Sequence, residues 1–299
     1  MFFRSNYAPN INLPSEPVLI ANGATTVQST YLVQPFSTIS NAMAPIFHSN
    51  MNSLQVGVHK QYSQGLAFGA EYQWTRVLGT ENLENPSGAT PNDSYGPIAG
   101  LTPQVLTVNY SYLLPFGKGK TFLGSAGNLV DKIVSGWQIS GISTFQTGQP
   151  FSVTYTAPGT YTLNSVVYSN LVSGRASIVP GERLYPSHKT NAEWFNPAAF
   201  TAPTNSAGVK GGAYGNSGYD MLRGPGFQDW DMNLEKNIVF AGRYKVQLRA
   251  DSFNIFNHPN FSTPNASISS TSSVGTITST ASTPAYEART VEFAAKFSF

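Results

Sequence analysis

The stretch R-T-V-E-F-A-A-K-F-S-F, Arg289 to Phe299, ends the chain and decides the fold. Its apolar side chains fall on every second residue, and the residues between them are small or charged. A period of two places the two sets on opposite faces of a β-strand. An unpaired strand of this kind would aggregate in water. A transmembrane barrel instead sets its apolar face against lipid and its other face against water or a plug, so the stretch predicts the closing strand of such a barrel.

The same alternation recurs upstream and predicts an all-β fold: an antiparallel up-and-down meander of about seven strands, forming a partial transmembrane β-barrel with long extracellular loops. The strand lengths of about ten residues suit a tilted bilayer crossing. The apolar positions of the six further strands are Leu54, Val56, Val58; Leu66, Phe68, Ala70, Tyr72, Trp74; Leu106, Val108, Tyr110, Tyr112, Leu114; Trp137, Ile139, Phe145; Trp230, Met232, Leu234, Ile238, Phe240; and Tyr244, Val246, Leu248, Ala250.

The connections between these strands alternate between short and long. Short or medium turns are expected at 63–65, 115–131 and 241–243, and long loops at 77–103, 157–226 and 258–284. Bacterial barrels have short periplasmic turns and long outer loops, whereas a sandwich gives no reason for the alternation. Tryptophan and tyrosine also fall near strand ends, as in aromatic girdles: Trp74, Tyr112, Trp137, Trp230 and Tyr244.

The chain therefore divides into a loop-rich N-terminal segment, residues 1–50, and a barrel portion, residues 51–299. The first segment is expected to belong to an extracellular loop, with a short strand near residues 25–33. The fourth strand is expected to continue past Pro150 into residues 151–155. At the first hairpin, Ser63-Gln64-Gly65 predicts a type I turn with a G1 bulge and a left-handed Gly65.

The register of the fifth and sixth strands follows from matching their apolar faces, because a slip of one residue would invert a strand. A tight turn at 241–243 sets Phe240 opposite Tyr244 and Glu235 opposite Arg249. We expect an ion pair between Glu235 and Arg249, which would help to hold this register.

Composition limits the possible classes of protein. Charged residues make up 11% of the chain, against about 25% in soluble domains. No run of about 18 apolar residues exists to form a membrane-spanning helix. The net charge of +2 gives no indication of a nucleic-acid partner. Cysteine is absent, which excludes disulfides and thiolate sites. The N-terminus lacks the features of a signal peptide, so we expect the C-terminal piece of a longer protein.

No catalytic residue, metal site or cofactor is predicted. Asp229-Trp230-Asp231 could hold calcium, but a barrel interior requires polar residues in any case, and the polar wall is the preferred interpretation. Aromatic residues in the largest loop could contact a ligand or pack the loop against itself. The candidate ligand-contacting residues are Tyr155, Trp194, Phe195 and Phe200, and the expected lumen-facing polar residues are Glu71, Asp231, Glu235, Lys245, Arg249 and Asp251.

Several stretches resemble TonB-dependent outer-membrane receptors of the Oar-like kind. The similar stretches are 52–75, S-G-W-Q-I-S-G-I-S-T-F-Q-T-G-Q-P-F (135–151), W-F-N-P-A-A-F (194–200), L-R-G-P-G-F (222–227), R-A-D-S-F-N-I-F-N-H-P-N-F (249–261) and the final A-A-K-F-S-F. The resemblance implies an outer-membrane location and energy-coupled uptake of a bulky nutrient such as an oligosaccharide or a peptide.

The partners that the resemblance implies are outer-membrane lipid, the plug, the remaining barrel strands and the energy-coupling TonB complex. The sequence departs from the family pattern because it shows neither plug nor coupling box and has about a third of the family's strands. Two alternatives stay open: a secreted soluble β-sandwich binding module, and an outer-membrane enzyme, for which no nucleophile or acid–base set is found.

Overall fold

The computed structural model describes residues 2–7, 20–21, 44–80, 95–169, 171–240, 242, 244–281 and 288–299. Strands account for 50% of the residues and helices for 4%. The long strands form one antiparallel sheet that does not close into a barrel. This confirms the predicted all-β meander.

In chain order the strands are β1 (Phe2–Tyr7), β2 (Ile20–Ala21), β3 (Ala44–Ser63), β4 (Leu66–Thr80), β5 (Tyr95–Pro97), β6 (Gln104–Leu113), β7 (Trp137–Gln146), β8 (Pro150–Phe151), β9 (Thr154–Tyr155), β10 (Thr160–Leu163), β11 (Val166–Ser169), β12 (Gly174–Arg175), β13 (Ser177–Ile178), β14 (Phe200–Thr201), β15 (Leu222–Arg223), β16 (Phe227–Phe240), β17 (Tyr244–Phe253) and β18 (Thr290–Ser298).

The main sheet has the order β1-β3-β4-β6-β7-β16-β17-β18, and β5 pairs with the far end of β4. Among the described strands one edge is β18, and the other is formed by β1 and by the part of β3 beyond Asn50. Residues before Asn50 were expected to be loop, but β1 and the start of β3 lie there and pair with each other, with Phe2 opposite Asn50. β1 covers β3 only from Ala44 to Asn50, so the part of β3 that contains Leu54 is an edge of the described sheet, as expected. The short strand expected near residues 25–33 lies outside the described residues.

The β3–β4 hairpin has a tighter turn than the sequence suggested. Ser63 pairs with Leu66, so the loop is only Gln64 and Gly65. Their φ angles are +54° and +84°, and two left-handed residues define a type I′ turn. The left-handed Gly65 is confirmed, but the three-residue turn was wrong. The additional residue lies within β3, where the register shifts between Lys60 and Ser63 as in a β-bulge.

The predicted register of β16 and β17 is confirmed. Phe240 lies opposite Tyr244 and Glu235 lies opposite Arg249. The turn and the two apolar faces were therefore sufficient to fix the pairing of this hairpin.

One row of paired residues crosses the sheet and shows how strongly its strands tilt. We call the end that carries the β3–β4 and β16–β17 turns the turn end, and the opposite end the loop end. β4 begins on this row, at Leu66, whereas β16 runs six residues beyond it, from Leu234 to Phe240. The two turns therefore lie six residues apart along the strand direction and four strand spacings apart across it. At about 3.3 Å per residue and about 4.8 Å per spacing these two distances are nearly equal. The strands are thus tilted by about 45° from the perpendicular to the line that joins the two turns. Barrel strands tilt by roughly this amount. The row consists of Leu66, Tyr112, Ile139, Leu234, Ala250 and Phe293.

The sheet has an apolar face, which carries this row, and a polar face on the other side. We expected the apolar face to be accessible. Leu248, Phe293 and Phe297 are exposed, Phe293 to 83%, and Phe68 and Tyr72 are half-buried. A sandwich would bury these side chains against a second sheet, so their exposure favours contact with lipid.

Aromatic side chains mark both ends of the apolar face. At the loop end the Trp230 ring lies 5.3 Å from Phe145 and 5.5 Å from Phe256. At the turn end Tyr244 stacks on Phe240 at 5.5 Å and on Phe297 at 5.9 Å. Such bands are typical of the two interfaces of a membrane barrel.

A short helix, α1 (Asn128–Val134), lies in the β6–β7 connection, for which the sequence predicted a turn of medium length at 115–131. Lys236 projects from the apolar face of β16, is only 4% exposed, and donates to the carbonyls of Ile133 and Ser135. These are carbonyls at the C-terminal end of α1, where a cation is favourable. The described residues contain no helix long and apolar enough to cross a bilayer.

A compact unit, which we call the cap, covers the loop end and consists of residues 147–169, 171–226 and 257–281. β7 ends at Gln146, and the chain then leaves the sheet, so the expected continuation into residues 151–155 was wrong. β8 and β9 pair instead with the cap strands β15 and β12. The cap also contains a 3-10 helix at Pro197–Ala199.

Candidate functional site

The cap has its own apolar core. Val153, Phe195 and Leu222 are fully buried. The Phe195 ring lies 5.9 Å from Phe151 and 5.8 Å from Phe200, the latter edge to face. Such aromatic pairs stabilise a core beyond the area that they bury. The largest loop is therefore a folded unit above the sheet.

This core contains the residues that we had considered as ligand contacts. Phe195, Phe200 and Tyr155 are buried, and Trp194 packs against the core while its Nε1 donates to the carbonyl oxygen of Arg223 at 2.8 Å. Buried rings offer no face to a ligand, so the expectation is corrected for the three buried residues. They pack the loop against itself, which was the alternative interpretation.

Asparagines from the stretch F-N-I-F-N-H-P-N-F connect the cap to β16. The amide of Asn260 bonds both backbone groups of Gln228: Oδ1 accepts from N at 2.9 Å and Nδ2 donates to O at 3.0 Å. The Asn254 side chain closes the turn in the same way around the backbone of His258, at 2.9 and 3.0 Å. The two asparagine side chains thus hold the turn and the junction between the cap and the sheet in place.

A cavity of about 470 Å³ lies between the loop end of the sheet and the cap. β4 contributes Trp74 and Arg76 to its wall, the connection before β6 contributes Leu101, and β15 contributes Arg223. Its described lining thus carries two arginines and an indole ring but no carboxylate. A second cavity of about 290 Å³ lies beside Gly224 to Phe227 and has a mixed polar and apolar lining.

The guanidinium of Arg223 is incompletely satisfied. Its Nη1 is buried and finds no hydrogen-bond partner among the described residues. Burial, together with the nearby charge of Arg76, lowers the pKa of Arg223 below its usual range, while Tyr185 and Asp220 oppose this shift. A buried charged donor without a partner is costly. An anionic group in the cavity would offset the repulsion between Arg223 and Arg76.

Asp220 lies behind Arg223 but is committed to other bonds. Its Oδ1 accepts from Ser152 Oγ at 2.9 Å, and its carboxylate also accepts from the backbone of Ala99. Burial raises the pKa of Asp220, although the Ser152 hydrogen bond and the charge of Arg223 oppose the shift. Asp220 therefore compensates the charge of Arg223 only in part.

The six residues expected to face the lumen all lie on the polar face of the sheet. Glu71 has its Oε1 4.0 Å from His59 Nε2, and Asp231 Oδ1 accepts from the backbone of Asn254 at 3.0 Å. Lys245 is exposed at the turn end. The remaining three are Glu235, Arg249 and Asp251.

The expected ion pair between Glu235 and Arg249 is not formed, although the two residues are opposite each other. Arg249 Nη2 instead contacts Asp251 Oδ1 at 2.9 Å, two residues along the same strand. Glu235 accepts a hydrogen bond from Asn237, and Asn233 Nδ2 donates to Asp251 Oδ1 at 2.5 Å. A neighbour at i+2 on the same face competes with the cross-strand partner, and pairing rules for opposed residues do not capture this competition.

Within the described parts of the chain, no three His, Cys, Asp or Glu side chains are grouped as a metal site would require. Asp229 Oδ1 accepts from the backbone of Trp230 at 2.9 Å. Asp231 accepts in the same way from the backbone of Asn254. Both carboxylates of the D-x-D stretch are therefore hydrogen-bonded to backbone N–H groups.

Sequence reasoning missed Arg76 and Arg223, and the reason differs between them. Arg76 follows Trp74 on the apolar parity of β4, so a cation beyond an aromatic girdle was a usable signal. Arg223 carried no signal, because only the folded cap brings it to the sheet from 147 residues away in sequence.

A family model described as "Outer membrane beta barrel domain" matches residues 3–292. No curated protein and no solved structure gives a significant match to the chain.

Proposed function

This chain belongs to the outer membrane β-barrel domain family, and we propose that it forms the C-terminal barrel segment of a TonB-dependent receptor that takes up a bulky nutrient. The protein is located in the outer membrane. Its apolar face meets lipid there, and its sheet forms a wall. Energy coupling and the Oar-like assignment rest on the resemblance of the sequence stretches given above.

The cavity beneath the cap is the observation that carries the proposal. In bacterial barrels the short turns are periplasmic, so the cap and its cavity lie on the extracellular side, where a ligand arrives. Two arginines, one with a buried and unsatisfied donor, favour an anionic group on that ligand. The Trp74 ring supplies a flat surface for a sugar or an apolar side chain. An acidic oligosaccharide or a peptide with a free carboxylate meets both requirements.

The polar face would line the transport path. In this proposal Glu71, Asp231, Glu235, Lys245, Arg249 and Asp251 face the plug, and the plug and the remaining strands come from the rest of the barrel. The TonB complex supplies the energy through that plug. The segment itself performs no chemical step, and we assign it no enzymatic activity.

Growth experiments test the uptake. A strain without this protein and a strain without TonB are compared with their parent on oligosaccharides and peptides too large for porins. We expect both deletions to abolish growth on the same substrate, and the intact gene to restore it in the first strain. Growth of the first strain on every substrate, or a defect that the TonB deletion does not share, would contradict the proposal.

A further inference from the structure

The β6–β7 connection exposes more apolar surface than a water-facing turn requires. On α1, Leu129 is 76% and Ile133 64% exposed, and Val130 is exposed as well. Phe122 and Leu123, in the loop just before the helix, are also exposed. At 100° per residue the three helix residues fall on one side of α1, with Asn128 on the opposite side and Lys132 at the flank. The helix is amphipathic, and its apolar side is uncovered.

The position of α1 is fixed by residues of the apolar face of the sheet. Trp137 Nε1 donates to the carbonyl of Ile133 at 2.9 Å. Lys236, which pairs with Trp137 across the strands, places its ammonium group 5.3 Å from the Trp137 ring and bonds carbonyls at the end of α1. Both side chains belong to the lipid-facing side. The helix therefore lies outside the wall, at the turn end.

The charges around α1 are mainly positive. Lys118, Lys120 and Lys132 are exposed. The one acidic residue of the helix, Asp131, is turned inwards, and its Oδ1 accepts from the backbone of Lys118 at 2.5 Å. Three exposed ammonium groups next to an exposed apolar side complement the headgroups and upper acyl chains of anionic phospholipid.

We propose that α1 and the loop before it lie in the periplasmic headgroup layer of the outer membrane and bind anionic phospholipid there. Leu129, Val130 and Ile133 enter the boundary between headgroups and acyl chains, and the three lysines contact phosphates. The lipid surface is continuous with the apolar face, on which α1 already lies. The helix also covers Lys236, whose charge would otherwise meet lipid directly. This inference depends on the outer-membrane location and not on what the protein transports.

Single-cysteine labelling tests the proposal, because the chain has no cysteine of its own. The full chain is folded into phosphatidylglycerol-containing vesicles with an environment-sensitive dye at L129C or I133C. We expect a blue-shifted emission, loss of quenching by iodide, and quenching by phospholipid that carries a nitroxide near its headgroup. The matched control is N128C, on the opposite side of the helix, which stays open to iodide.

A second variant tests the charges. In wild type the dye at position 129 or 133 should be better protected from iodide in phosphatidylglycerol vesicles than in phosphatidylcholine vesicles. Replacing Lys118, Lys120 and Lys132 by Gln should abolish this difference. Equal iodide quenching at positions 128, 129 and 133 would overturn the proposal. Protection that grows with protein density would assign the surface to a second copy, and protection that needs periplasmic extract would assign it to a protein partner; either result also overturns the proposal.

Discussion

Lys236 shows how a cation is tolerated on a lipid-facing strand. Its ammonium group bends away from the sheet to backbone carbonyls of the α1 region and lies near the Trp137 ring. Long cationic side chains near a membrane interface commonly reach polar groups in this way. A cation without such partners should be costly at the same depth.

Leu248 and Gln247 provide that comparison on β17. Leu248 lies on the apolar face near the middle of its strand, and Gln247 lies on the polar face. We expect Leu248→Arg to lower the free energy of unfolding by about 2–4 kcal/mol and Gln247→Arg to change it little. Urea titration in phospholipid vesicles measures both variants. Equal losses would show that the two faces are wrongly assigned.

The arginines of the cavity allow a binding prediction. Titration with glucose 1-phosphate should change the fluorescence of Trp74, whereas glucose should not. Arg76→Gln or Arg223→Gln should weaken this binding about tenfold, because each removes a charge-assisted hydrogen bond. Arg183→Gln is the matched control, since Arg183 is exposed elsewhere on the cap. An equal response to glucose, or unchanged binding in both variants, would refute an anion site.

Asp220 should make the stability of the cap depend on pH. Burial raises its pKa above the ordinary value of 3.8, so the folded cap holds this proton more tightly than the unfolded chain does. Its contribution therefore favours folding at low pH and is lost as pH rises from 3.8 through the raised value. Asp220→Asn should remove this loss and stabilise the cap at neutral pH.

Thermal unfolding followed by Trp194 fluorescence, from about pH 3 to about pH 8, measures the effect. Glu182→Gln is the control, because Glu182 is exposed on the same cap. If the difference between wild type and Asp220→Asn were independent of pH, the buried carboxyl would not be the cause.

At the scale of elements, the two tight turns differ in how closely they are packed. Gly65 has φ +84°, and a Cβ there would lie 2.9 Å from the Leu113 carbonyl oxygen. Gly242 has φ +74°, and the described residues place no heavy atom within 4 Å of a Cβ there. Both Ala variants incur the left-handed cost of about 1–2 kcal/mol, so Gly65→Ala should lose more stability than Gly242→Ala. Urea unfolding of the two variants compares them, and equal losses would mean that the Leu113 contact is relieved.

The alternation of apolar residues was sufficient to predict the long strands and the β16–β17 register, because a lipid-facing wall imposes a period of two on every strand. It could not predict α1, since seven residues in a Gly- and Lys-rich connection give no sustained helical period. The cap was missed as a folded unit for a similar reason. Its core residues, such as Val153, Phe195 and Leu222, come together from loops and two-residue strands without any regular spacing.

At the scale of the whole molecule, the strand tilt and the open sheet both indicate that the described strands form part of a barrel wall. A tilt of about 45° suits a barrel wall. Among the described residues both edges of the sheet, β18 on one side and β1 with the uncovered part of β3 on the other, nevertheless present unpaired backbone groups, and β18 is exposed along most of its length. Lipid offers no hydrogen bonds to such an edge, so every strand in a membrane must be paired. In the membrane each edge therefore needs a partner strand.

The proposed receptor predicts which strands these are. A photo-reactive amino acid at Ala294, in the middle of edge strand β18, should cross-link in native outer membranes to a segment of the same barrel outside the sheet described here. The control is position 247 on β17, which lies between Asn237 and Lys296 and should cross-link only within this sheet.

A link from β18 to β1 would instead show that the eight principal strands close by themselves, which would remove the need for further strands. A link to a second copy would place the seam between molecules. Mass spectrometry of the cross-linked peptides distinguishes these results, because each predicts a different partner sequence for the same β18 peptide.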